Sequence, residues 1–185
     1  MVNENSSKNL EKLKKEFEIF KKKYGLPSFY ELNKHFDIEE VEVESDFLLR
    51  KIRRIISERI SAYSRFVDII LNPSSAPVFF FKVLKRLDKP DKEILAEIYE
   101  TLGNFEIELL SLDLDYSEER EADFIKKSYE IFNNHVRIKF LEIVKKLNNK
   151  SESTHKESNG SYYGWGFIIR NLYESLRKYP IIYIF

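Results

Sequence analysis

Between Asp46 and Leu71 apolar side chains return every three or four residues without a break. Leu48, Leu49, Ile52, Ile55, Ile56, Ile60, Tyr63, Phe66, Val67, Ile70 and Leu71 form one broad stripe, and that spacing is the mark of an amphipathic helix. Ser45 offers a cap at its start, and Asn72-Pro73 ends it. With a rise of about 1.5 Å per residue, the helix spans roughly 39 Å. A stripe of that length cannot be buried by the helix that carries it, so other helices must pack along it.

Candidates for those helices lie on both sides. Leu10, Leu13, Phe17, Phe20 and Tyr24 predict a helix over 7–24, after a disordered stretch at 1–6, with Gly25 and Pro27 at its end. Ser28 with Glu31 has capping-box spacing and predicts a short helix through about His35, with Phe29, Leu32 and Phe36 on its apolar side. Residues 37–44 alternate partly, but a lone strand has nothing to pair with, so they read as a connector. Ser74 or Ser75 can cap a helix with Pro77 in its first turn. Its side chains Val78, Phe79, Phe80, Phe81, Val83, Leu84 and Leu87 are apolar on nearly all sides, as in a buried helix.

Asp88 and Pro90 open a further helix to about Leu112, striped by Ile94, Leu95, Ile98, Leu102, Phe105 and Leu109. Gly103 interrupts it and marks either a kink or a close helix contact. Asp115 with Glu118 repeats the capping-box spacing, and Ser117 competes with Asp115 as the cap. The helix that follows runs to about Leu147 through Ala122, Ile125, Tyr129, Phe132, Val136, Phe140, Ile143, Val144 and Leu147. Asn133-Asn134-His135 is a weak point near its middle. These elements predict an all-α, single-domain bundle of five or six helices over residues 7–147, arranged around one long central helix. With 185 residues, a chain can bury a real core without disulfides or metals.

The polar stretch 148–161 reads as a linker. It tethers a segment of different character, 162–185, which holds eight aromatic residues and the only tryptophan. A helix is expected from about Phe167 to Lys178, with Ile168, Leu172 and Leu176 on one side and Pro180 as the stop. Arg170, Arg177 and Lys178 stand there against Glu174 alone. Such a mixture suits a membrane surface, a partner's groove, base stacking, or a return onto the body of the protein. Tyr162, Tyr163, Trp165, Phe167, Ile181, Ile182, Tyr183 and Phe185 are the contact candidates.

Several classes of chemistry lack their residues. There is no cysteine, which removes disulfides, thiolate metal sites and cysteine nucleophiles. A Glu-x-x-His pair occurs only at Glu152 and His155, in the linker; residues 32 and 132, three before His35 and His135, are Leu and Phe. Glu31 and His35 lie one turn apart and could share a ligand, but an exposed i,i+4 pair is the commoner reading. Asp113-Leu-Asp115-Tyr-Ser117 begins like a calcium loop, but Glu118 and Phe124 occupy the positions that need Gly and Glu. No Gly-x-Ser-x-Gly elbow and no phosphate-binding glycine loop occurs; Gly164-Trp165-Gly166 lacks their strand–turn–helix context. The reading leans away from an enzyme and calls for no cofactor and no metal.

With a formal net charge of zero, any electrostatic partner must be met by a local patch. The best one is Arg50-Lys51-Arg53-Arg54, with Arg59 and Arg65 beyond it. Arg50, Lys51, Arg53 and Arg54 could neutralise phosphates. Glu39, Glu40, Glu42, Glu44, Asp46 and the glutamates of 93–108 offer intramolecular partners instead. The polar start, Met1 to Lys8, has no signal-peptide core, and no apolar run is long enough to span a bilayer, so a cytoplasmic location is expected.

Leu26-Pro27-Ser28-Phe29, the run Phe47 to Arg54, Leu71-Asn72-Pro73-Ser74 and Ala122-Asp123-Phe124-Ile125-Lys126 resemble small, uncharacterised, all-helical archaeal proteins over about residues 10–147. The resemblance implies an all-helical fold and carries no activity. The leading expectation is a non-enzymatic interaction or regulatory module with a protein partner or a second copy of itself. The alternatives are a nucleic-acid- or ribosome-associated protein reading phosphates through 50–54, and peripheral membrane association through 162–185.

Overall fold

A computed structural model describes residues 4–41, 47–75, 81 and 84–152. The aromatic segment 162–185, with Tyr162, Tyr163, Trp165, Phe167, Ile181, Ile182, Tyr183 and Phe185, lies outside the described residues. So do positions 153–161, the proposed cap Ser45, and positions 76–80, 82 and 83 of the apolar stretch before Leu87.

The described residues are all-α, as the periodicities require, and contain no strand. Helices α1 (Glu4–Tyr24), α2 (Phe29–Phe36), α3 (Leu48–Leu71), α4 (Lys89–Leu114), α5 (Glu118–Ile131) and α6 (Arg137–Glu152) follow in order. A π turn over Phe132–Val136 joins α5 to α6 without a break. The chain divides into two compact units, Met1–Ser61 with Thr101–Arg137, and Ala62–Glu100 with Ile138–Phe185.

In the first unit, local signals place the helix ends. Gly25 takes φ 66, a conformation that costs glycine little. Its N–H and that of Leu26 both donate to the Lys21 carbonyl, at 2.8 and 3.3 Å, closing α1. Ser28 and Glu31 form the full capping box of α2: the Glu31 N–H donates to Ser28 Oγ at 3.2 Å, and the Ser28 N–H to Glu31 Oε2 at 2.8 Å. Phe29, Leu32 and Phe36 are buried, as their spacing predicts. Residues 37–41 are a connector with a single 3-10 turn, Ile38–Glu40. Asp37 begins it in the left-handed region at φ 54, and its carboxylate pairs with Arg59 of α3. Ser117, not Asp115, caps α5: the Arg120 N–H donates to Ser117 Oγ at 3.4 Å.

The core of this unit is largely apolar. Phe17, Phe36, Ile52, Ile56 and Phe124 are fully buried. Phe17 meets Phe29 edge-on with centroids 5.6 Å apart, and Phe105 meets Phe124 the same way at 5.8 Å. His35 is packed among Phe36, Tyr129 and Phe132. The weak point at Asn133-Asn134-His135 is where the α pattern gives way: the Arg137 N–H reaches the Phe132 carbonyl, five residues back. Phe132 and Val136 stay buried through the widened turn.

In the second unit Val67, Ile70, Leu95, Ile98 and Ile143 form the core. Phe140 stacks against Tyr63 and Phe66, centroids 5.6 and 5.8 Å away. Asp88 and Asp91 cap α4 reciprocally. The Asp91 N–H donates to Asp88 Oδ1 at 3.0 Å, and the Asp88 N–H to Asp91 Oδ2 at 3.2 Å. Asp91 is fully buried and also paired with Lys146 of α6. Helix α6 continues to Glu152, past the expected end at Leu147.

Gly103 neither interrupts the helix nor marks a close contact. Helix α4 runs through it, and a Cβ built there meets nothing within 4 Å. Gly103→Ala should therefore stabilise the protein by about 1 kcal/mol, because it lowers the entropy of the unfolded chain without strain. A rise of about 2–4 °C in thermal midpoint is the expected readout.

Candidate interaction surface

Helix α4 is apolar on two sides. Leu102, Phe105, Leu109 and Leu112 face inward and are buried. At about 100° per residue, Gly103, Ile107, Leu110 and Leu114 fall on the opposite side. There Ile107 is 68% exposed, Leu110 65% and Leu114 89%. Isolated exposed leucines are ordinary; three at i, i+3 and i+7 make a continuous stripe of the kind that helices use as anchors. Sequence reasoning missed this stripe. Its signal was present: from Leu102 to Leu114 apolar residues are too dense for one face.

Both edges of the stripe carry polar residues. One carries Glu106, which is exposed, and Asp113, with its side chain 60% exposed. The other carries Ser111, where Arg120 donates to Ser111 Oγ at 2.6 Å and pairs with Asp115 at 3.1 Å. Asp113 and Asp115 are thus both ion-paired within the chain, to Arg53 and Arg120. From Glu93 to Asp115 the sequence has seven acidic residues and no lysine or arginine.

The basic run 50–54 is divided by the fold. Arg53 is buried; its Nε donates to Glu121 Oε2 at 2.8 Å and its Nη2 to Asp113 Oδ1 at 2.7 Å. It cannot reach a phosphate without breaking both bonds. Arg50 is half-buried, with Nε 3.7 Å from Glu121 Oε1 and its guanidinium 4.1 Å from the Tyr116 ring centre and 5.3 Å from that of Phe47. Phe47 sits in the left-handed region at φ 67, an expensive conformation for a bulky side chain, and meets Tyr116 edge-on at 5.2 Å. Lys51 is half-buried, and Arg54 alone of the four is exposed. For Arg50 and Arg53 the pairing is intramolecular, through Glu121 and Asp113 rather than the 93–108 glutamates.

Burial pushes the Glu121 carboxyl above its ordinary range, while the Arg53 guanidinium opposes the rise. Glu118 moves the other way, held low by the Lys23 ammonium at 2.8 Å and the Tyr24 hydroxyl at 2.6 Å. Burial lowers the His35 pKa, helped by the charges of Arg137 and Lys34. A base depressed in the folded state loses stability as pH falls through its unfolded value, about 6.5. Lowering the pH from 7.5 toward 5.5 should therefore weaken the wild type against urea, and His35→Phe should remove that slope.

Among the described residues no three histidine, aspartate or glutamate side chains cluster as metal ligands, and no helix is long and apolar enough to cross a membrane. Asp113 and Asp115, which open the calcium-like pattern, are both engaged by arginines. No family model, curated protein or solved structure matches the chain. The surface itself is therefore the ground for a functional reading.

Proposed function

We propose that this protein is a non-enzymatic helical interaction module whose contact surface is the Ile107–Leu110–Leu114 stripe of α4. The observation that carries the reading is the pairing of two apolar faces on one helix, one filled by the core and one left to solvent. An exposed stripe of this kind is a liability unless something covers it, since water-exposed apolar patches promote indiscriminate association. Burying three such side chains at an interface would contribute about 1.5–3 kcal/mol each before the costs of association.

The test is site-specific photo-crosslinking. A benzoylphenylalanine at position 110, in the protein expressed in its own host, should give one discrete adduct. The same group at the exposed Glu130 of α5 should give none. No adduct from position 110, or the same pattern from both positions, would remove the basis of the proposal.

A further inference from the structure

Away from the α4 stripe, the first unit carries an arginine set against two aromatic rings. We infer that Phe47, Arg50, Arg54 and Tyr116 form a binding site for a nucleoside phosphate, the arginines taking the phosphate and the rings the base. All four residues belong to that unit. Phe47 immediately precedes α3, and its carbonyl accepts the Lys51 N–H at 3.2 Å. Arg50 and Arg54 follow one turn apart on one face, with Cβ atoms about 5–6 Å from each other. The Arg50 guanidinium lies 4.1 Å from the Tyr116 ring centre and 5.3 Å from that of Phe47.

Both arginines have donors to give. Arg50 Nε is buried without a hydrogen-bond partner, and its guanidinium makes no hydrogen bond among the described residues. Its one carboxylate neighbour, Glu121, stands 3.7 Å away and gives its other oxygen to Arg53. Arg54 is exposed and forms no ion pair among the described residues. The carboxylates nearby are engaged by other cations: Asp113 by Arg53, Asp115 by Arg120, and Glu118 by Lys23. Glu58, one turn beyond Arg54, is exposed and pairs with neither arginine. Two guanidiniums with open donors within one turn suit a phosphate, whose oxygens accept several charge-assisted hydrogen bonds at once. The first turn of α3 has no acidic residue, so a bound anion also meets the positive end of that helix.

The rings indicate what the phosphate is attached to. Phe47 is 53% exposed and Tyr116 36%. Phe47 holds φ 67, and a bulky side chain left open to water gains little burial to offset that cost. Exposed aromatic faces beside arginines are a means of stacking unpaired bases. Phe47 and Tyr116 meet edge-on at 5.2 Å. A base, with its wide ring system, covers more of that pair than a single phenyl group does, which favours a nucleoside phosphate over a phosphorylated tyrosine.

The test is a nuclear magnetic resonance titration of the isotope-labelled full chain with adenosine monophosphate, adenosine and inorganic phosphate. Adenosine monophosphate should shift the Nε–Hε signals of Arg50 and Arg54 and bind at least about tenfold more tightly than either fragment. Phe47→Leu should reduce its affinity to that of phosphate, whereas Phe47→Tyr, which keeps a ring, should bind like wild type. Arg54→Gln should weaken both adenosine monophosphate and phosphate by about tenfold. The backbone amide spectrum of each variant reports whether the fold survives. Equal affinity for adenosine monophosphate and phosphate would overturn the inference, as an anion site without a base. Phenyl phosphate binding as tightly as adenosine monophosphate would overturn it in favour of a phosphotyrosine ligand. Unmoved Arg50 and Arg54 signals would overturn it outright. A hexa-adenylate RNA distinguishes the source. Tighter, salt-sensitive binding than the mononucleotide at equal nucleotide concentration supports a site for a single strand, and equal binding supports a site for the free nucleotide.

Discussion

Arg53→Ala is expected to destabilise the protein by about 3–5 kcal/mol, the usual cost of stranding a buried charge. Glu121 is fully buried, and Arg53 is the residue that hydrogen-bonds its carboxylate. Arg50 stands 3.7 Å from the other oxygen, too far for a hydrogen bond. Without Arg53 the carboxyl must either stay charged with little compensation or take up a proton. Burial already pushes its pKa up, and removing the guanidinium removes what opposes the rise. A group whose folded pKa is raised contributes stability below its unfolded value and loses it as pH climbs through the folded one. The variant should therefore regain part of its loss on acidification, toward pH 5, where other carboxylates remain ionised. Arg53→Met combined with Glu121→Leu removes both charges and should recover most of the deficit at neutral pH. Urea unfolding midpoints of the three proteins at two pH values check all of this. A double variant as unstable as the single one would show that the pair holds more than its own charges.

Leu110→Asp is expected to leave folding stability within about 0.5 kcal/mol of wild type, the range for exposed positions. Truncating or charging a buried leucine typically costs about 2–5 kcal/mol. The two outcomes are well separated. Leu110 is 65% exposed and Leu109, its neighbour, is buried, so Leu109→Asp is the matched control and should be severely destabilised. In association the order reverses. A carboxylate at the centre of the stripe must be desolvated by whatever docks there, so adducts formed from position 107 should vanish in Leu110→Asp. Equilibrium unfolding and crosslinking on one pair of proteins give both readouts.

What was legible in the sequence was chiefly what is local. Ser28 with Glu31 is a capping box at the expected start of α2 because both partners lie within one turn. Gly25 ends α1 because that position needs a positive φ. Asn133-Asn134-His135 marks the π turn because none of these residues is a strong helix former. Ion pairing was not legible. Arg53 selects Asp113 and Glu121 from two helices distant in sequence, and nothing in the local pattern ranks them above the glutamates of 93–108. The contact stripe was hidden for a different reason. Leu102, Phe105 and Leu109 satisfy the helical period by themselves, so Ile107, Leu110 and Leu114 read as surplus apolar content rather than as a second face. Gly103 reads as a break because glycine is a poor helix former, whereas the room for a Cβ beside it has no local signal.

The chain has no cysteine, so a single Leu110→Cys substitution gives an unambiguous probe of the α4 face. Maleimide labelling of that thiol, in the purified protein and again in an extract of the native host, tests the central claim most directly. Reactivity follows exposure and thiolate character, and the same site is compared with itself. The account predicts rapid labelling of the purified protein, close to the rate of the urea-unfolded chain, and strong protection in the extract. Glu130→Cys should label rapidly in both. Slow labelling of the purified protein would mean that the chain itself covers the stripe. Rapid labelling in both settings would mean that nothing docks there. Either result would contradict the assignment of Ile107, Leu110 and Leu114 as the contact surface.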